Sequence, residues 1–413
     1  MKAQSKLTVL VVLLLIVSVM ALSACSAGDP AAEDELKTST EADWAAGDPI
    51  FDIEAWRGLY PKQVETFASR ENAAPVVDYL TQYPWLKNVY AGSGFAEAYE
   101  SPRPHPDALE DVKNTPRTSE KTSPGCYSCK SPQYVVKEKA NPEAIYAKSF
   151  VELKPEITYS IGCYDCHGNL PGRGRDGNSY LGSTREMFTS HFPDVGREDA
   201  ACGQCHSEHY SDQKNPQALA IPEFTDPTRI YEYYESINLV DYVNPETGTG
   251  HLKAQHPEFQ VAAVGNHVSR DVSCSDCHFE KVKDAGGNYT NHAPVSPSKS
   301  PKIREDVCLP CHSSMSDQDV LDMISGLQVY VNESCIVVGQ RLAKFNDRFA
   351  AAIKAGKLSA AQVDELRALN REAQWYWDWV FSENGDGIHN PGQARDCLVR
   401  ATALLDQAES KLP

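Results

Sequence analysis

The chain of 413 residues carries 39 basic and 57 acidic side chains, and its formal charge of −18 argues against nucleic acid as a partner. Hydrophobic content of 41% and charged content of 23% are those of a globular protein, not a disordered one. A chain this large needs no disulfides to hold its core, so 13 Cys point to chemistry instead.

Met1 to Cys25 reads as an export signal: Lys2 and Lys6, an apolar run from Leu7 to Leu22, then Leu22-Ser23-Ala24-Cys25. That ending resembles the lipobox of bacterial lipoproteins, which implies a signal over residues 1–24 and a lipidated Cys25. The same run also fits an uncleaved anchor, although its 16 residues fall short of the about 20 of a membrane span. Residues 25–50 are rich in Ala, Ser, Thr, Asp and Glu, the composition of a flexible tether. No later run reaches membrane length. The rest of the chain is expected to work outside the cytoplasm, beside a membrane.

Ten Cys form five Cys-x-x-Cys pairs: Cys126/Cys129, Cys163/Cys166, Cys202/Cys205, Cys274/Cys277 and Cys308/Cys311. His167, His206, His278 and His312 directly follow the last four. Cys-x-x-Cys-His attaches a c-type haem through both thiols and an axial His. Chance supplies on the order of 0.01 such motifs in a chain of this composition. Zinc sites also use paired Cys, but zinc gives no reason for a His after four of five pairs. Thioredoxin-like dithiols would need alternating strands and helices. Eight further His remain as second axial ligands, twice the number that four such haems need.

The first pair reads Cys126-Tyr127-Ser128-Cys129-Lys130, with Lys in the place of His. One reading is a decayed motif. The other makes the Lys130 amine an iron ligand, neutral once buried and metal-bound. An amine lacks the imidazole π system, so this haem is the candidate substrate site with an open distal position. The other four would be wires.

Alternating β-branched runs are sparse, and Pro and Gly punctuate Ala91 to Pro310. The expected fold is mainly α with few strands, a haem-packed catalytic region over 51–313 and long helices over 314–413. Motif spacings of 37, 39, 72 and 34 residues exclude a simple repeat. After His312, Val320, Ile324, Leu327, Val331, Val338, Leu342, Phe345, Phe349 and Ile353 recur at helical spacing, interrupted at Ser334. They predict a helix of ~38 residues, about 57 Å long. Gly356 breaks it, a capping box at Ser359 starts a second helix to about Glu383, and a third follows Pro391. So long a helix needs a partner, either haem-bearing loops of its own chain or a second subunit. Cys335 and Cys397 lie in this region and fit either a disulfide or two buried thiols.

One Cys-x-x-Cys-Lys followed by four Cys-x-x-Cys-His resembles the pentahaem, ammonia-forming cytochrome c nitrite reductases, from about His105 to His389. The resemblance implies that Arg117, 13 residues before Lys130, is the active-site Arg. It makes Lys253-Ala254-Gln255-His256 the calcium and active-site segment, Glu208 a calcium ligand, and His105, His267, His292 and His389 the distal haem ligands. It also implies a homodimer through the long helices. His191 and His251 are left as surface or structural residues. One position departs from the pattern: the family has Glu-Tyr after the third haem motif, and here the order is Glu208-His209-Tyr210. His209 can still give calcium its backbone carbonyl. We expect His209, rather than Tyr210, to line the pocket, because helical neighbours face different ways.

The expected function is six-electron reduction of nitrite to ammonium at the Lys130 haem, with Arg117, His256 and His209 around the anion. Calcium would be held by Glu208, Gln255 and the carbonyls of His209 and Lys253. Electrons would come from a membrane multihaem quinol dehydrogenase, as the resemblance implies, and the protein would sit on the periplasmic face, tethered by the Cys25 lipid. Two rivals stand. One is a pure electron carrier with a Lys-ligated relay. The other is a related reductase acting on hydroxylamine or sulfite, which the His209 departure keeps open.

Overall fold

A computed structural model describes residues 50–168, 182–212 and 214–413. The export signal, Cys25 and the tether through residue 49 lie outside them. The described residues are mainly helical, with three two-stranded antiparallel hairpins. In chain order the site is built from α1 (Ala108–Asn114), a 3-10 turn at Pro124–Tyr127, α2 (Pro132–Ala140), α3 (Cys163–His167) and α4 (Arg197–Gly203). Strand β1 (Tyr210–Ser211) pairs with β2 (Leu219–Ala220), α5 (Pro227–Ser236) follows, and β3 (Tyr242–Val243) pairs with β4 (Gly250–His251). Then come α6 (Cys274–His278), the hairpin β5 (Lys281–Asp284) and β6 (Gly287–Thr290), and a π turn at Arg304–Cys308. The chain ends in α7 (Asp317–Lys354), α8 (Ala360–Phe381) and α9 (Pro391–Ser410).

Every Cys pair lies on or beside one helical turn. In α3 and α6 that turn is the motif itself, Cys163–His167 and Cys274–His278. A helix brings positions i, i+3 and i+4 to one face, so both thiols and the His address the same side. Asp276 and Ser273 close a capping box on α6, fixing where the turn begins.

The C-terminal helices follow local signals. Ser316 and Ser359 each make both arms of a capping box, with Asp319 and Gln362. Gly356 takes the left-handed φ of +62° that ends α7. Val320, Ile324, Val331, Val338, Leu342, Phe345 and Phe349 are buried along α7 as their spacing requires; Cys335, not Ser334, takes the inward place at the interruption. Trp375, Tyr376, Trp377 and Trp379 of α8 are buried in the same core, with Leu86, Val89, Tyr90 and Tyr234. A second apolar cluster of Leu109, Tyr127, Tyr134, Val135, Ile145, Phe150, Leu153 and Ile157 packs under the first Cys pair.

Of the two readings open for Cys335 and Cys397, the structure has the buried free thiols; the Cys335 Sγ meets the Trp377 carbonyl at 4.0 Å. One expectation changes. Tyr210 lies in a strand, not a helix. Of the surface and structural roles open to His251, burial fits the structural one: it is fully buried on β4 against the Tyr242 ring, 5.3 Å between centroids, and neither ring nitrogen has a hydrogen-bond partner. His191, by contrast, is exposed.

Cys311 is exposed, whereas the other nine motif Cys are partly buried. The physical reason is its place in the chain. Cys308 to His312 lies between the π turn and the Ser316 cap of α7, where Pro310, Ser313 and Ser314 are exposed too. The backbone still makes the helical turn that the motif needs, with Cys311 N donating to Cys308 O at 3.2 Å and His312 N to the same carbonyl at 2.9 Å. The Cys311 thiol thus lies at the rim of the molecule instead of its interior.

Candidate active site

The segment bearing Lys130 is fixed from both sides. Ser123 Oγ caps the 3-10 turn by accepting from Gly125 N at 3.0 Å and donates to the Gln217 carbonyl at 2.7 Å. Tyr127 stacks on Phe150 at 4.1 Å and donates its hydroxyl to the Phe150 carbonyl. Arg185, 2% exposed, then ties three motifs together. Its Nε donates to Ser128 O at 2.7 Å, its Nη2 to Asp165 Oδ1 at 2.6 Å and its Nη1 to Gln204 Oε1 at 3.0 Å. Those acceptors are the residues between the Cys of the first, second and third pairs.

Around Lys130 stand Arg117, His209 and His256. The Arg117 guanidinium lies 4.3 Å over the Phe95 ring, and its Nε donates to Thr115 Oγ1 at 3.3 Å. Burial lowers its pKa, opposed by the neighbouring Tyr99 and Cys126. The His209 pKa is pushed down to about 4 by burial first, then by repulsion from His256 and Lys130, so its ring shares their surroundings. Its Nδ1 bonds Ser207 O at 3.1 Å. A carbonyl cannot donate, so Nδ1 carries the proton and the neutral ring leaves Nε2 as an acceptor only. Tyr210 points elsewhere, sharing a 2.6 Å hydroxyl contact with Tyr233 and packing on Tyr234.

His256 sits 3.8 Å from Glu258 Oε1 and within 3.5 Å of Asn384 Nδ2. Burial raises the Glu258 pKa, but His256 and His206 outweigh it and bring it down to about 2. The strip leading to His256 is anchored by Asp378 of α8, which is fully buried. Asp378 accepts from Lys253 Nζ at 3.1 Å, Ala254 N at 3.0 Å, Tyr90 Oη at 2.5 Å and Ser382 Oγ at 3.0 Å. The Lys253 ammonium also faces the rings of Tyr90, Phe95 and Tyr99 at 5.0–5.7 Å. A buried cation thus has both a counter-charge and π faces.

Three of the four residues proposed to hold calcium, Glu208, Lys253 and Gln255, also converge. Glu208, 1% exposed, accepts from Gln255 N at 2.6 Å and Tyr234 Oη at 3.0 Å, and Gln255 Nε2 reaches the Lys253 carbonyl at 3.0 Å. Burial pushes the Glu208 carboxyl well up, with Asp241 adding like charge. A carboxylate buried beside another, whose own contacts are neutral donors, fits a cation site. Among the described residues no three His, Cys, Asp or Glu side chains form a metal cluster. Two of the four proposed donors are carbonyls and one is an amide.

Of the eight axial candidates, the four motif His and the four distal His, six fall into facing pairs. Ring centroids are 6.0 Å apart for His105 and His206, 6.2 Å for His167 and His292, and 6.1 Å for His278 and His389. An ion held ~2 Å from one nitrogen of each ring separates the centroids by about 6 Å, so the pairs fit a shared metal. His292 Nδ1 and His278 Nδ1 bond the carbonyls of Thr290 and Val295 at 2.8 and 3.1 Å, which leaves each Nε2 free. His256 is also 6.2 Å from His206, but it is turned to Glu258 and Asn384. His267 lies near enough to His312 for that charge to add to burial in lowering its pKa.

Sequence reasoning missed Arg185, Asp378, Glu258 and Glu383. Only Glu258 carries a local signal, two residues after His256. The others meet their partners through folding alone.

The cytochrome c552 family model matches residues 52–413. A cytochrome c-552 of Maridesulfovibrio salexigens is 28% identical over 382 residues, 86% of this chain and 75% of that one. The fold matches a cytochrome c nitrite reductase from Desulfovibrio desulfuricans, whose catalytic subunit is described with two calcium sites. The TM-score is 0.77 at 22% identity, covering 88% of this chain and 86% of that one. With five Cys-x-x-Cys turns and facing imidazole pairs that fit c-type haems, the chain belongs to the cytochrome c552 family.

Proposed function

We propose that the protein reduces nitrite to ammonium at the haem of the first Cys pair, with Lys130 as the axial ligand. One observation carries the reading. Three of the four motif His face a second ring about 6 Å away, and the fourth, His312, lies near His267; Lys130 lies among His105, His206, His209 and His256, beside Arg117, and the first two of these already face each other. When bound, the haem would supply an iron for the anion and pass on, one at a time, the six electrons that an external donor provides.

The chain's own residues do the rest. Arg117 puts positive charge near the pocket of a protein whose net charge is −18, whereas the Lys253 charge is met by Asp378. Arg117, braced by Phe95 and Thr115, orients an anion and stabilises charge as N–O bonds break. His256, whose Nδ1 lies near Asn384 Nδ2 and Glu258, is placed to pass a proton through its other ring nitrogen, Nε2. Calcium on Glu208, Gln255 and the carbonyls of His209 and Lys253 would fix the strip that presents His256.

His209 supports a second substrate. With Nδ1–H given to Ser207, its Nε2 accepts a hydrogen bond from the O–H or N–H of hydroxylamine, which nitrite lacks. We further propose delivery of electrons by a membrane multihaem quinol dehydrogenase, a periplasmic location with a lipid on Cys25, and a homodimer through α7. No helix among the described residues is long and apolar enough to cross a membrane.

Steady-state turnover with reduced viologen as donor tests the activity. Nitrite consumed with stoichiometric ammonium is the expected result, and hydroxylamine should be reduced too. No turnover of nitrite or hydroxylamine, with no spectral change on adding either, would leave the electron carrier as the better reading.

A further inference from the structure

We infer that Glu383 is a positioning residue that sets the reduction potential of the haem on the fourth Cys pair, by holding the Nδ1–H of His389. The inference rests on reading His278 and His389 as the two axial ligands of that haem. Glu383 follows α8 directly and is 4% exposed. Its Oε1 accepts from His389 Nδ1 and from Gly385 N at 2.8 Å, and its Oε2 accepts from Gly387 N at 2.9 Å. The loop is shaped for this. A Cβ on Gly385 would stand 2.6 Å from Glu383 Oε1 and 2.7 Å from His389 Nδ1, and Gly387 takes a left-handed φ of +80°. Both carboxylate oxygens are therefore committed, and the His389 ring faces His278 with Nε2 free.

The other axial candidates are treated differently. His278 and His292 bond backbone carbonyls, and the nearest carboxylate to His206, that of Glu258, is 3.9 Å away, beyond a hydrogen bond. Among the described residues, His389 alone of the eight is hydrogen-bonded to a carboxylate. A charged acceptor draws the Nδ1 proton and makes the imidazole a stronger donor at Nε2, which favours ferric over ferrous iron. Taking one electron from a reduced mediator is then least favourable at this haem among the four with two His. Its Cys274 neighbours Cys202 and its Cys277 neighbours Cys308, so this low-potential haem lies between those of the third and fifth pairs.

The test is a potentiometric titration of the full-length holoprotein followed by visible and electron paramagnetic resonance spectra. Glu383→Gln should keep five haems, move one low-spin midpoint to more positive potential and change that haem's g-values, leaving the other four in place. Asp386→Asn removes a nearby carboxylate that does not touch His389, and should leave the g-values unchanged. An unmoved midpoint in Glu383→Gln, or an equal shift in both variants, overturns the inference. If Glu383→Gln fails to take up five haems, Glu383→Asp should give a smaller shift of the same sign, and an unmoved midpoint there overturns it as well. His389→Met separates the assumptions: if all low-spin signals survive, the axial reading fails and the inference with it. If one haem changes while Glu383→Gln does nothing, only the inference falls. Nitrite turnover enters none of these readouts, so the activity stands or falls separately.

Discussion

Arg185 Nη2 stands 2.6 Å from Asp165 Oδ1, with neither side chain more than 3% exposed. The pair does more than neutralise itself. Through Ser128, Asp165 and Gln204 the same guanidinium fixes the relative positions of three Cys-x-x-Cys turns. A buried ion pair adds little over a well-packed apolar contact, but removing one partner leaves the other charged and desolvated. Arg185→Met should therefore cost about 3–5 kcal/mol. Denaturant unfolding of the holoprotein, followed by haem absorbance, measures this. Adding Asp165→Asn should recover part of the loss. If Arg185→Met unfolds at the parent's midpoint, the turns are held by something other than this pair.

Lys130 occupies the position that His holds in the other four motifs. Lys130→His restores the ordinary motif, so covalent attachment should persist. The pocket beyond it, with Arg117, His209 and His256, is unchanged, so an anion should still bind. What changes is the electronic character of the axial donor. Nitrite turnover should fall by about tenfold or more, equivalent to ~1.4 kcal/mol on the barrier. Single-turnover kinetics with spectra of the oxidised protein would show it, and equal turnover in both proteins would make the Lys incidental.

What the sequence revealed and what it hid divide along locality. The Cys turns and the three C-terminal helices rest on signals within a few residues: Cys at i and i+3, capping boxes at Ser316 and Ser359, a left-handed Gly356. Partners across long separations left no trace. Asp378 binds Lys253 from 125 residues away, and it sits in Trp375-Tyr376-Trp377-Asp378-Trp379, a stretch so apolar that its one carboxylate reads as a surface residue. Burial escapes local reading for the same reason, in both directions. Nothing in Thr249-Gly250-His251 announces that Tyr242 and α8 will cover it, and nothing in the fifth motif distinguishes exposed Cys311 from its partly buried counterparts. Glu383 precedes His389 by six residues, yet only the turn through Gly385 and Gly387 brings the two together.

His209 offers a lone pair and no proton at Nε2. His209→Phe keeps the backbone carbonyl, most of the ring volume and the burial, and deletes the acceptor. The KM for hydroxylamine should rise roughly three- to tenfold, the worth of one ordinary hydrogen bond, while that for nitrite stays near the parent value. Steady-state assays of the two substrates side by side decide it. Equal effects on both would mean that the ring shapes the pocket and does not bind.

Glu138 of α2 accepts from Tyr146 Oη at 2.8 Å and Tyr134 Oη at 3.2 Å behind the first Cys pair. Burial raises its pKa above the ordinary 4.5, and the two phenols only partly offset that. The folded state then binds more protons than the unfolded one between 4.5 and the raised value, so stability from this group is complete below 4.5 and declines as pH rises through that window. Glu138→Gln cannot ionise. Its unfolding midpoint should match the parent's at low pH and exceed it at neutral pH. A parent and variant whose midpoints run parallel across the range would place the carboxylate in water.

Met323, Tyr330 and Val337 lie seven residues apart along α7, so they fall on one stripe of the helix. They are 37%, 57% and 63% exposed, while the opposite face of α7 is buried against α8 and α9. Large apolar side chains aligned over four turns of an otherwise amphipathic helix suit a second copy of the same helix. A two-fold axis would set the stripe against itself, each Tyr330 near its counterpart. Tyr330→Arg with Val337→Asp places charges in that seam without touching the intramolecular core or any haem motif. The parent should elute as a dimer and the double variant as a monomer in light-scattering chromatography at micromolar concentration, both with five haems. A parent that is monomeric under those conditions would return the stripe to solvent, and the proposed dimer with it.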